Sequence, residues 1–147
     1  MKRNGSASIL LVALLALGAL GLSLWPRERP QVPSRYRNVV ESTMKDVGRA
    51  TGLSWRTEKV SVSVIAGTRF VNGYWCRYIE SEGRWLAGFA YGGRRLNVYA
   101  DPSTMNINGG VGSVLGHELA HVLFNQHHIP SASHHKRMRQ CGILTTD

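Results

Sequence analysis

The sequence predicts an α+β domain behind an apolar N-terminal segment, on three observations. Apolar residues recur at helical spacing near both ends of the domain, alternate strictly in its middle, and run unbroken near the start of the chain. Lys2 and Arg3 precede an uncharged run over residues 5–25, rich in Leu and Ala. That run is about twenty residues, long enough to span a bilayer as a helix, and Trp25 suits the interface at its end. Ala19-Leu20-Gly21 offers a small-x-small cleavage site, but the apolar run continues past it. Residues 1–25 therefore read as a signal anchor in preference to a cleaved signal peptide. Residues 26–34, charged and rich in proline, form a stiff linker, and residues 35–147 form the domain.

Within the domain, Ser34 opens a first helix that runs to about Ala50. Tyr36, Val39, Val40, Thr43, Met44 and Val47 share its apolar face, and Gly52 ends it. Residues 59–65 alternate as a half-buried strand does. Phe70-Val71 and residues 74–79 form further strands around Asn72-Gly73, and residues 84–91 and 94–99 flank Gly92-Gly93 as a hairpin. Asp101-Pro102-Ser103 closes this small, mainly antiparallel sheet. A glycine-rich loop leads to an amphipathic helix over residues 111–124, whose apolar stripe is Val111, Val114, Leu115, Leu119 and Val122. Pro130 then separates this helix from a short C-terminal helix or turn.

Net charge is +9, and fourteen of the eighteen basic residues but eight of the nine acidic ones lie from Ser34 onward. The domain is therefore basic, which suits anionic surfaces in general. It has no basic motif interleaved with aromatic residues, so nucleic acid is not expected as a partner. The two cysteines, Cys76 and Cys141, permit one disulfide in an exported domain. They lack the C-x-x-C spacing of a thiolate metal site.

All six histidines fall between residues 117 and 135. The first two belong to His117-Glu118-Leu119-Ala120-His121. At i and i+4 of one helix, both imidazoles reach a single ion, and Glu118 can aim its carboxylate at a water on that ion. A catalytic zinc site usually takes three protein ligands and a water. The tail offers His127, His128, His134 and His135 as the third, and no acidic residue lies between Glu118 and Asp147.

The H-E-x-x-H segment resembles that of the zincin metallopeptidases, over about residues 113–141. In the SprT-like branch a third histidine opens a second helix, which implies His134, followed by His135 and Met138 where that branch has glycine and an aromatic residue. In the metzincin branch the spacing implies His127, with Met138 as the turn methionine. Phe124 stands at that branch's turn glycine; a turn at Asn125 would instead bring His128 to the metal. The resemblance favours the set His117, His121 and His134 around Zn2+, with Glu118 as general base. It also implies that a peptide lies along a sheet edge above the metal helix, for which residues 94–99 are the candidate edge.

These expectations describe a zinc endopeptidase, membrane-tethered or exported, with its domain outside the cytoplasm and with a protein or peptide as substrate. Two alternatives differ in class: a cytoplasm-facing SprT-like protease of DNA-associated proteins, favoured by the arginines after the anchor, and a non-enzymatic metal-binding module. Retention of Glu118 argues against the second, because a purely structural site needs no base. The sequence leaves oligomeric state open.

Overall fold

A computed structural model describes residues 29–145. The expected anchor and residues 26–28 of the expected linker lie outside the described residues. Among those described, no helix is long and apolar enough to cross a membrane.

The domain is α+β, with three helices and two small sheets. A single 3-10 turn, Ser34–Tyr36, leads into α1, Arg37–Thr51. Gly52 ends α1 in the left-handed region, φ 69°, where a side chain would be strained. Strand β1 is Ser61–Ala66, β2 Arg69–Val71, β3 Tyr74–Ile79, β4 Arg84–Leu86, β5 Gly88–Tyr91 and β6 Arg95–Ala100. Asn72 and Gly73 both have positive φ, 50° and 88°, the geometry of a tight hairpin turn between β2 and β3. Helix α2 is Val114–Gln126, and a 3-10 turn, Ser131–Ser133, precedes α3, His134–Gln140.

One sheet has the order β1-β6-β5 and the other β2-β3-β4. All pairings are antiparallel except β1 with β6, which is parallel from Ser61↔Arg95 to Ala66↔Ala100. This corrects the expected edge: residues 95–99 lie in the central strand, and β1 and β5 are the two edges. Each strand of the hairpin was legible, but the return of β1 onto the far side of β6 is a long-range pairing with no local signal. Residues 84–91 run on from the second sheet into the first, and the Ala87 carbonyl accepts from Tyr99 N at 2.9 Å.

The core joins Val40, Met44 and Val47 of α1, Val62, Leu96 and Val98 of the sheet, Leu115, Leu119, Val122 and Leu123 of α2, and Met138 of α3. α2 is not the amphipathic surface helix that its stripe suggested. Ten of its thirteen residues are buried, because α1, the sheet and α3 each cover a different side. Gly116 lets the loop before α2 pack closely on the helix: a Cβ there would collide with the Gly110 carbonyl. Ser113 caps α2, accepting from Gly116 N at 3.0 Å.

At the other end of α2, the Gln126 side chain accepts from Arg56 N at 3.0 Å and donates to the carbonyls of Thr57 at 3.2 Å and Gly93 at 2.8 Å. It ties the helix to the hairpin turn and to the loop before β1. Gln126→Ala should therefore lower stability by about 2 kcal/mol in urea unfolding, since it removes several hydrogen bonds at once.

No disulfide joins Cys76 and Cys141, contrary to the expectation for an exported domain. Cys76 is buried in β3 of the second sheet, its Sγ 3.5 Å from the Tyr74 carbonyl, whereas Cys141 follows α3 and packs on the main core. Burial pushes the Cys76 thiol above its usual range.

Candidate metal centre

His117 and His121 sit one turn apart on α2, with ring centroids 4.7 Å apart. The third histidine of the group is His135. Ligand atoms of His117, His121 and His135 all lie within 4.8 Å of one another, so these three could hold a metal ion. Nε2 of His121 is 3.1 Å from Nε2 of His117 and 3.3 Å from Nε2 of His135. Zinc–nitrogen bonds of about 2.0–2.1 Å in a tetrahedron set ligand nitrogens roughly 3.3 Å apart. The donor set and these two spacings are those of a group that could hold a metal ion.

Nδ1 of His117 lies 2.7 Å from the Leu144 carbonyl. A carbonyl only accepts, so Nδ1 donates and Nε2 keeps its lone pair for a metal. The tail is held for this contact by Leu144 N, which donates to the Val111 carbonyl at 2.9 Å, and by Ile143, which is buried. Burial, and then neighbouring His117, His134 and His135, push the His121 pKa down to about 3. Its ring is therefore neutral, as a ligand must be.

The other tail histidines are placed elsewhere. His134, the expected third ligand, is buried at 1 % exposure, with Nε2 2.9 Å from the Ile129 carbonyl and Nδ1 2.8 Å from Nδ1 of His121. It contacts Nδ1 of His121 and lines the same cleft, while its neighbour His135 joins the His117–His121 group through Nε2 of His121. Burial, above all, lowers its pKa. Nε2 of His127 lies 2.7 Å from the Ser54 carbonyl, away from the group. α2 does not turn at Asn125. It continues to Gln126, and His128 takes the left-handed position with φ 55°. His128 N then donates to Asn125 O at 3.1 Å and Ile129 N to Phe124 O at 3.0 Å, the paired bonds of a Schellman turn. His128 thus shapes the backbone after α2 and does not join the metal group.

Glu118 is buried beside the group, and desolvation raises its pKa to about 8. A nearby dication would draw the value down again. Its space is provided by Gly88 at the start of β5, where a Cβ would lie 2.6 Å from Glu118 Cγ and 2.8 Å from Oε1. The sequence carried no sign of this thirty-residue pairing, nor of the Leu144 carbonyl. His135 was in view, but next to a neighbour that took its place. His117, Glu118, His121 and His135 line one cleft of about 580 Å3 together with residues 84–90 of the edge, including Trp85, Leu86 and Phe89.

In metal-free protein, the raised Glu118 pKa gives a signed pH dependence. The folded state holds this proton more tightly than the unfolded chain, so the contribution is full below about pH 4.5 and is lost as pH rises through about 8. Relative to Glu118→Gln, wild type should lose a few kcal/mol of stability across that window, at about 1.4 kcal/mol for each pH unit crossed. Paired thermal melts at pH 5 and pH 9 check this, with equal differences at both pH values as the contrary outcome.

Comparison with known proteins found no matching family model, no matching curated protein and no matching solved structure.

Proposed function

We propose that the protein is a zinc-dependent endopeptidase whose metal ligands are His117, His121 and His135. The observation that carries this reading is the buried Glu118 carboxyl set in one cleft with three clustered imidazoles. A binding site alone would not require a desolvated acid in that place. Zinc held by the three histidines would supply Lewis acidity, polarising the scissile carbonyl and acidifying a bound water. Glu118 takes a proton from the attacking water and later delivers it to the leaving amine. Burial suits it to both steps, because it brings the carboxyl pKa near neutrality.

The substrate read from the cleft is an extended peptide. β5 is an edge strand that roofs the Glu118 side of the cleft, and an edge can add a strand through backbone hydrogen bonds. Phe89 of β5, with Trp85 and Leu86 of the adjoining β4, lines the same cleft and favours apolar side chains. The apolar run over residues 5–25 favours membrane tethering with the domain outside the cytoplasm.

Hydrolysis of unfolded protein substrates that is abolished by a chelator and restored by zinc is the primary test. Gly88→Ala gives a sharper one. The three atoms nearest the added methyl all belong to Glu118, so activity should fall by roughly tenfold or more through misplaced proton transfer while zinc stays bound. Full activity in that variant would contradict the role given to the β5–Glu118 contact.

A further inference from the structure

We infer that His134 is a positioning residue: it fixes the tautomer and the ring plane of the ligand His121. The inference rests on the reading of His117, His121 and His135 as metal ligands. Nε2 of His134 faces the Ile129 carbonyl at 2.9 Å, and a carbonyl oxygen only accepts, so Nε2 carries the hydrogen. In the neutral ring Nδ1 is then a lone pair. Nδ1 of His121 lies 2.8 Å from it. Two ring nitrogens that close share one hydrogen, and here only His121 can supply it. With its hydrogen on Nδ1, His121 keeps the Nε2 lone pair, and that atom is the one facing Nε2 of His117 and Nε2 of His135.

The support behind this contact is rigid. His134 is fully enclosed, with its ring centroid 5.2 Å from that of Phe124. The Ile129 carbonyl belongs to the turn in which His128 takes a positive φ and Ile129 N bonds back to Phe124 O. A line of hydrogen-bond polarity thus runs from the turn after α2, through His134, to the ligand atom of His121. Backbone carbonyls or carboxylates commonly hold metal-binding histidines. Here a second imidazole stands between the carbonyl and the ligand.

The test measures zinc affinity of the full chain by competition with a chromogenic chelator. His134→Asn places an oxygen acceptor near the position of Nδ1, whereas His134→Leu removes the acceptor at similar volume. The Leu variant should bind zinc roughly 10–100-fold more weakly, and the Asn variant within about threefold of wild type. Long-range proton–nitrogen correlation spectra of zinc-loaded wild type should show His121 with its hydrogen on Nδ1 and His134 not bound to the metal. Wild-type affinity in a folded Leu variant, or His121 binding through Nδ1, overturns the proposal, as does zinc on His134 itself. If the Leu variant does not fold, the wild-type spectrum decides alone. Failure of wild type to bind zinc at all would remove the metal reading first, and this inference with it.

Discussion

Glu118→Gln should leave zinc bound and stop hydrolysis, with a loss on the order of a hundredfold to ten-thousandfold in kcat. The substitution preserves shape beside Gly88, where Glu118 Oε1 has little room. It removes only the ability to take a proton from water. The carboxamide also needs no desolvation of a charge, so the metal-free variant should melt at least as high as wild type above pH 8, the region where burial of the carboxylate is costly. Metal content by atomic absorption, beside turnover of a quenched peptide, separates the outcomes. Turnover equal to wild type would end the assignment of Glu118 as general base.

Alanine at His117, His121 or His135 should abolish stoichiometric zinc binding, because each removes one of three ligands. Alanine at His127 or His128 should not. His127 is bonded to Ser54 O, and His128 acts through its backbone. At 128, a change to glycine should be neutral or slightly stabilising, since the position has positive φ. Activity should fall with the metal in the first three variants and persist in the other two. Full zinc occupancy in His135→Ala would return the third position to another donor.

The contrast between His134 and His135 shows where local reading stops. The sequence places a short helix or turn after Pro130, and the structure has a 3-10 turn at Ser131–Ser133 and a helix from His134. Successive residues on a helix point about 100° apart, so which of the two joins the His117–His121 group is set by the roll of α3 against α2. That roll depends on burial of Met138 and on the Ile143–Leu144 return, contacts no spacing rule contains. The Asn72-Gly73 and Gly92-Gly93 turns, the α1 boundary at Gly52 and the His117–His121 pair were all legible, because each follows from residues within one or two turns of chain. β5 as an edge, Gly88 as the recess for Glu118, and α2 as a buried helix were not, because each depends on elements brought together from far apart.

The three histidines that could hold a metal span only residues 117–135, and that locality gives the proposed site an order of assembly. Closing a loop of about eighteen residues costs roughly 2–3 kcal/mol of chain entropy, and the contacts that reward it come from α2, its terminal turn and α3. The parallel register of β1 on β6, by contrast, must bring together residues more than thirty apart, which makes it a slow event in folding. On the proposed reading, zinc would be captured by the C-terminal third of the chain before the sheet is complete. Proton transfer by the proposed base would wait for β5, whose Gly88 leaves room for Glu118. A newly made chain would hold its metal first and gain its chemistry last, when the roof of the cleft closes over Glu118.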